Sequence, residues 1–285
     1  MHRISLTPTP TPTLTQTPTP TQTPTTAPNG KLIAYQFEGL LAFPETTHAI
    51  FSRHGGVSAG PYASLNLSRA VGDDPDAVTE NNRRMLGAFG YRREQAVTAW
   101  LVHGRDGAVI TRADLGRNPP QVDALVTRER CLPLTMRFAD CVPIVFYDPA
   151  QHAIGIAHAG WRGVAVNVVE ATVRTMVDAF GSDPHRMWAG IGPAIGVERY
   201  EVGAEVVEPV VAACPPGTRL TQPGSNGSRP HLDLAAAVTA QLQAAGIGAI
   251  EASGICTASN TDEWFSHRAE NGKTGRFGLV IALNE

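Results

Sequence analysis

The sequence lacks the features that would assign it to a membrane protein, a secreted protein or a nucleic-acid-binding protein. No apolar run approaches the roughly 18 residues of a transmembrane helix, and no apolar signal-peptide segment follows Arg3. Lysine and arginine total 23 against 26 aspartate and glutamate residues, so there is no basic excess for binding nucleic acid or an anionic membrane. Small neutral or anionic ligands are compatible with this charge.

Cysteine is scarce, and its spacing is not that of a disulfide scaffold. The four cysteines are scattered through the chain without a CxxC pair: Cys131, Cys141, Cys214 and Cys256. This pattern favours a reducing compartment, so we expect a cytoplasmic protein.

The first 30 residues differ in composition from the rest of the chain. From Thr7 to Pro28 threonine alternates with proline, and Leu14 and Ala27 are the only apolar residues apart from the prolines. Such a segment cannot offset the entropy lost on ordering, so residues 1–30 are expected to form a disordered tail. A Thr/Pro-rich stalk on an exported protein is the alternative interpretation.

Strand and helix patterns mix from Lys31 onward. Hydrophobic residues make up 42% of the chain, enough for a sizeable core, and residues 31–285 fit one domain. Helices are predicted at residues 74–90, 164–181, 201–214 and 233–246. Strands are predicted at residues 32–38, 48–53, 96–104, 123–129, 131–148, 152–160, 185–193 and 250–257. This mixture predicts a layered α/β fold.

Three side chains that can bind a metal fall at or near the ends of predicted strands. His103 closes AWLVHG, Cys141 lies in FADCVPIVFYD, and His158 closes AIGIAHAG. They are too far apart in sequence for one helix or hairpin to join them, but a sheet can do so. Two imidazoles and a thiolate suit Zn²⁺, and three protein ligands with an open fourth position describe a catalytic zinc, which lowers the pKa of bound water to about 7. The structural alternatives are an inert buried cysteine and histidines that satisfy neighbouring carbonyls.

Long blocks of the sequence resemble, in the same order, the signature blocks of the YfiH-like family. These blocks are FSRHGGVSAGPYASLNLS, VHG, DALVT, ADCVPIVFYD, AIGIAHAGWRGVA, GIGPAIGVERYEVG and CTASNTDEWFSHRAENGKTGRFG. The resemblance runs from about Lys31 to the C-terminus. Members of this family have been described as laccase-like multicopper polyphenol oxidases, and later as zinc-dependent purine nucleoside phosphorylases with adenosine deaminase and methylthioadenosine phosphorylase activities.

The resemblance implies a fold, a metal and substrates. The fold is a compact single-domain α/β sandwich with mixed β-sheets. The family's zinc ligands, in its VHG, ADC and HAGWRG blocks, fall here on His103, Cys141 and His158. The implied substrates are inorganic phosphate with adenosine, inosine, guanosine or S-methyl-5'-thioadenosine. Two positions depart from the family pattern: Leu101 replaces a glutamine before VHG, and Phe138 replaces a small hydroxyl residue before ADC, where it could reshape the pocket wall.

Three further residues are candidates for catalysis. Phosphorolysis needs a site for phosphate, and Arg53 in SRHGG and Arg162 in GWRG offer guanidinium groups among small residues. A structural or surface ion pair is the alternative for each arginine. Asp140, beside Cys141, could shuttle a proton or orient a ligand histidine. The H-x-E and P-C-x-x-C signature of zinc deaminases is absent, so deamination would use other machinery.

Other functions stay open at this point. The same family has a described role in peptidoglycan editing, in which an amidase cleaves a UDP-muramoyl-serine precursor; here metal-bound hydroxide or Cys141 would attack the amide. A copper oxidase acting on phenols is disfavoured because the nine histidines include no HxH pair. A non-enzymatic binding module is the remaining alternative.

Overall fold

Strands dominate the computed structural model, which describes residues 1–7, 30–224 and 229–285. The strands are β1 (His2–Leu6), β2 (Leu32–Gln36), β3 (Thr46–Phe51), β4 (Val97–Thr98), β5 (Gly107–Val109), β6 (Ala124–Thr127), β7 (Leu134–Phe138), β8 (Val142–Asp148), β9 (Ala153–Ala159), β10 (Trp188–Ile191), β11 (Thr221–Gln222), β12 (His231–Leu232), β13 (Ala249–Ala252) and β14 (Phe277–Leu283). The α-helices are α1 (Pro75–Gly87), α2 (Trp161–Ala165), α3 (Val168–Phe180), α4 (Ala204–Ala212) and α5 (Leu234–Ala244).

Two six-stranded sheets form the centre of the fold. Sheet A has the strand order β1-β2-β3-β14-β7-β4, and sheet B has the order β13-β10-β8-β9-β6-β5. The pairs β4–β7, β5–β6 and β10–β13 are parallel, and the other pairs in these sheets are antiparallel. Strands β11 and β12 form a small separate sheet. The expected single-domain α/β sandwich with mixed sheets is confirmed.

The two sheets pack face to face, and helices cover their outer sides. Between the sheets, Met136 and Leu279 of sheet A share one apolar cluster with Val145 and Ile156 of sheet B. Helices α3, α4 and α5 pack on the outer face of sheet B, and α1 packs on the outer face of sheet A. Because both faces of β8 and β9 are covered, these strands are continuous apolar runs in the sequence.

Local sequence signals explain where the main helices begin and end. The Asp74 carboxylate accepts a hydrogen bond from the Asp76 amide at 2.9 Å, and Pro75 occupies the first helical position of α1. Helix α3 ends at Phe180 and is capped by Gly181, which has a φ of 71°. The continuous helix predicted from residue 164 to 181 is wrong, because Asn167 adopts a left-handed conformation and separates α2 from α3.

Two strands of sheet A differ from the sequence-based expectation. The expectation that residues 1–30 form a disordered tail is wrong for residues 2–6. These residues form β1, which pairs antiparallel with β2 and partly buries Ile4 and Leu6 against the core. Residues 8–29, which hold most of the Thr/Pro segment, lie outside the described residues. Strand β14 was not predicted, yet its seven residues are all buried between β3 and β7. Among the described residues, no helix has the length and apolar composition needed to cross a bilayer.

Candidate metal centre

Strands β8 and β9 place two of the three predicted ligands side by side. Cys141 directly precedes β8, where Val142 pairs with Ala159 and Pro143 pairs with His158. Because side chains alternate along a strand, Cys141 and His158 both face sheet A. The aromatic ring of Phe138 in sheet A lies 5.6 Å from the His158 ring, between centroids. The unusual phenylalanine before the ADC block therefore forms part of the wall behind His158.

The third predicted ligand, His103, lies in a loop rather than at a strand end. Strand β4 stops at Thr98, so the strand predicted through residue 104 is wrong over its second half. His103 has a φ of 58°, in the left-handed region. On either side of it, the amides of Val102 and Gly104 donate to Asp123 Oδ2 at 3.1 and 2.8 Å. Asp123 thus holds the loop in a conformation that presents His103.

The three predicted ligands converge on one point. One potential ligand atom from each of His103, Cys141 and His158 lies within 4.8 Å of the others. Within the described residues, this is the single group of three or more His, Cys, Asp or Glu side chains close enough to hold an ion. The two imidazole rings are nearly perpendicular, with centroids 5.1 Å apart. The donor set and the spacing fit a single ion such as Zn²⁺.

A buried aspartate determines which nitrogen of His158 faces this point. His158 Nδ1 lies 2.9 Å from Asp123 Oδ1, and the Asp123 side chain is fully buried. With Nδ1 held by the carboxylate, Nε2 is the nitrogen left to bind a metal. Gly160 keeps the space open, because a Cβ at this position would lie 3.0 Å from Cys141 Sγ and 3.4 Å from His103 Cδ2.

The electrostatics of the group favour a thiolate. Burial acts to raise the pKa of the Cys141 thiol, but the His158 charge and hydrogen bonds from both histidines outweigh it, so the pKa is lowered. Burial likewise opposes the charged form of His158, but Cys141 and Asp123 together raise its pKa. Thiolate is the form of cysteine that binds zinc, so this charge distribution suits a cation.

Asp140 does not contact the histidines. Its Oδ1 accepts hydrogen bonds from the hydroxyls of Thr257 and Ser266, both at 2.7 Å, and its Oδ2 accepts one from the Arg268 amide at 2.6 Å. The carboxylate therefore ties the turn before Cys141 to the chain near residues 257–268. The hypothesis that it orients a ligand histidine is wrong, because Asp123 makes that contact.

The two candidate arginines have different surroundings. Arg53 donates to the carbonyls of Ala63 and Thr261 and to Glu270, and its guanidinium lies 4.4 Å from the Phe265 ring centroid. These contacts favour the structural alternative for Arg53.

Arg162 is exposed on α2. Its guanidinium lies over the Trp161 ring, and it has no ion-pair partner among the described residues. It is therefore open to an anionic ligand.

Two arginines near Cys141 were not selected from the sequence. Burial lowers the pKa of Arg276, and the charges of Cys141 and Asp140 oppose that effect. Arg268 lies over the Tyr200 ring at 5.1 Å and donates to the Glu201 carbonyl. Burial raises the pKa of Tyr200 to about 12, and the charge of Cys141 adds to the rise. Both arginines occur in the C-terminal signature block, which was the available sequence signal.

The fold and the site together define an α/β sandwich protein with a His-Cys-His group suited to a metal ion. The family model described as multi-copper polyphenol oxidoreductase laccase matches residues 47–284. The chain belongs to this family, which confirms the resemblance found in the signature blocks.

Individual relatives extend over most of the chain. A purine nucleoside phosphorylase of Streptomyces coelicolor is 43% identical over 234 residues, which cover 81% of this chain and 93% of the relative. One from Deinococcus radiodurans is 39% identical over 236 residues, covering 83% and 88%. The crystal structure of YlmD from Geobacillus stearothermophilus has a TM-score of 0.82 at 36% identity, covering 85% of this chain and 93% of that chain. That of the hypothetical protein YfiH from Bacillus licheniformis has a TM-score of 0.81 at 31% identity, covering 90% and 97%.

Proposed function

We propose that the protein is a zinc-dependent purine nucleoside phosphorylase of the cytoplasm. Its substrates would be adenosine, inosine, guanosine and S-methyl-5'-thioadenosine with inorganic phosphate, and it would also deaminate adenosine. The observation that carries the proposal is the convergence of His103, Cys141 and His158. Arg162, four residues after His158, is exposed and has no ion-pair partner among the described residues. The names and coverage of the relatives from Streptomyces coelicolor and Deinococcus radiodurans support the same reaction.

The residues of the centre fit zinc and divide the work of holding it. His103, Cys141 and His158 would be the ligands, and Asp123 would keep His158 in the tautomer that turns Nε2 to the ion. Bound zinc would supply a Lewis acid and lower the pKa of a water for deamination. Three protein ligands leave a fourth position for substrate or water.

Phosphorolysis requires a positive site beside the nucleoside. An oxygen of phosphate forms a bond to C1′ while the bond from C1′ to the purine nitrogen breaks, and the electron pair leaves with the base, which takes up a proton. Arg162 would hold the phosphate through its planar guanidinium, supported by the positive charges of Arg268 and Arg276. Asp140 acts as a positioning residue for the Cys141 turn, because its oxygens already accept hydrogen bonds from Thr257, Ser266 and Arg268.

The proposal is tested by metal analysis together with a phosphate-dependent assay. About one zinc per chain is expected from three convergent ligands, and hypoxanthine release from inosine should require phosphate. Cys141→Ala should abolish both, whereas Cys131→Ala, at a cysteine outside the group, should change neither. Arg162→Gln should raise KM for phosphate more than it lowers kcat. Its control is Arg174→Gln, at an exposed arginine of α3. Release of base at the same rate without phosphate, or copper in place of zinc, would contradict the proposal.

A further inference from the structure

A crevice lies between helix α1 and the outer face of sheet A, on the side away from the metal centre. Phe138 points between the sheets toward His158, so the preceding residue, Arg137, faces the opposite side of sheet A. The polar lining of the crevice consists of Asn82, Arg93, Thr98, Thr135 and Arg137. Among the described residues, no carboxylate lines it, so its charge is positive.

Arg137 is a partly buried cation that has no counter-charge among the described residues. Its Nη2 donates to the Ala99 carbonyl at 3.0 Å, and no carboxylate within the described part of the chain forms an ion pair with it. Burial lowers the pKa of Arg137, and the positive charge of Arg93 lowers it further. A charge that is partly removed from water without an ion-pair partner is costly, so an anion bound here would stabilise the folded state.

The groups around Arg137 are suited to an oxyanion. Arg93 is exposed and donates to the Ala96 carbonyl at 3.4 Å, with no ion pair to any described residue. Thr98 is buried, and its hydroxyl makes no hydrogen bond to the described part of the chain. Thr135 donates to the Val97 carbonyl at a long 3.4 Å. Guanidinium groups and hydroxyls are the side chains that bind phosphoryl oxygens.

A larger cavity adjoins the crevice. It has a volume of about 260 Å³ and shares Arg93 and Thr98 with the crevice. Its other polar lining residues are Arg117, Asn118 and two carboxylates, Glu94 and Asp114. The crevice itself has about 10 Å³, so it admits one oxygen atom, and the rest of a ligand would occupy the larger cavity.

We propose that Arg93 and Arg137 bind the phosphoryl group of a small molecule, with one oxygen directed into the crevice toward Arg137. Thr98 contributes its hydroxyl where the crevice and the cavity meet. This site is separated from the metal centre by sheet A and is independent of the proposed phosphorolysis. Its ligand is either free phosphate or a phosphate monoester whose organic part lies beside Arg117.

The test is calorimetric titration of the metal-loaded protein, in phosphate-free buffer, with inorganic phosphate and with AMP. Arg137→Met and Arg93→Gln should each weaken binding at this site by about tenfold or more, since each removes a charged hydrogen-bond donor. Arg92→Gln, at an exposed neighbour that lines neither cavity, should leave it unchanged. If Arg117→Gln weakens the binding of AMP alone, the ligand is a monoester; if it weakens neither, the ligand is free phosphate.

Thermal unfolding separates a binding role from a structural one. Without phosphate, Arg137→Met should raise Tm, because it removes a partly buried charge that has no ion-pair partner among the described residues, and it should reduce the increase in Tm that phosphate produces in the wild type. Cys141→Ala should retain that increase, so failure of the phosphorylase proposal would not affect this result. Wild-type affinity for both probes in Arg137→Met and Arg93→Gln would overturn the inference.

Discussion

Asp123 connects the two histidines of the candidate metal centre. Its carboxylate binds Nδ1 of His158 and accepts hydrogen bonds from Val102 and Gly104, which flank His103. Its backbone carbonyl also accepts a hydrogen bond from the His158 amide at 2.8 Å. One buried side chain therefore orients one histidine and fixes the loop that carries the other.

We expect Asp123→Asn to weaken metal binding by about 10- to 100-fold. An amide has one oxygen and one NH₂ group, so in either orientation an N–H donor of Asn faces another N–H donor, from His158 or from the loop. Metal affinity is measured by competition with a chelator. Asp106→Asn, at an exposed aspartate of the same loop, should retain wild-type affinity. Equal affinity in the two variants would mean that Asp123 does not support the centre.

The turn between β7 and β8 is positioned by contacts with the C-terminal part of the chain. Asp140 has a φ of 80° and is buried, and its three hydrogen-bond donors come from Thr257, Ser266 and Arg268. The turn ends at Cys141, so its conformation determines where the thiolate lies. The position of this candidate metal ligand thus depends on a segment more than 100 residues away.

Asp140→Asn should lower the free energy of unfolding by about 1–3 kcal/mol. The NH₂ group of asparagine would replace a carboxylate oxygen that accepts at least one of the three hydrogen bonds, so that two donors would face each other. The substitution should also reduce metal content, since the Cys141 turn loses an anchor. Urea unfolding and metal analysis measure the two effects, and Asp178→Asn on the exposed surface of α3 is the control. Unchanged stability and metal content would show that the turn holds its shape without the carboxylate.

Across the whole molecule, the layered sandwich buries a neutral histidine in sheet A. His48 of β3 is 2% exposed, and its Nε2 accepts a hydrogen bond from the Phe37 amide at 2.9 Å. Burial lowers the pKa of His48 from 6.5 to about 4. The folded state therefore excludes the protonated form that the unfolded chain adopts in mild acid.

Stability should fall as the pH drops from 6.5 to 4, because the unfolded chain binds a proton at His48 that the folded protein does not. Above this range the contribution of His48 is fully present. Between pH 7 and pH 5 the wild type should lose about 2 kcal/mol more unfolding free energy than His48→Gln, as measured in urea. His2→Gln, at an exposed histidine, should behave as the wild type does. Parallel losses in the wild type and His48→Gln would contradict the assignment.

Several elements could be predicted from short stretches of sequence, and so could the suitability of the three candidate residues as metal ligands. Asp74 and Pro75 mark the start of α1, and Gly181 marks the end of α3, because capping depends on hydrogen bonds between near neighbours. Strand β14 was not predicted, although it lies between β3 and β7 in sheet A. Strand β1 was predicted to be part of the disordered tail. Whether a short apolar segment becomes a strand depends on partners distant in the sequence.

The sequence by itself determined the class of fold, the family and the three candidate metal ligands, because residue type and signature blocks carry that information. Only the tertiary structure decided how these ligands are supported. In the structure, Asp123 rather than Asp140 contacts a histidine of the candidate metal centre. Arg53 makes structural hydrogen bonds, whereas Arg162 is exposed. These outcomes depend on hydrogen bonds between residues that meet only when the two sheets pack, so no local pattern records them.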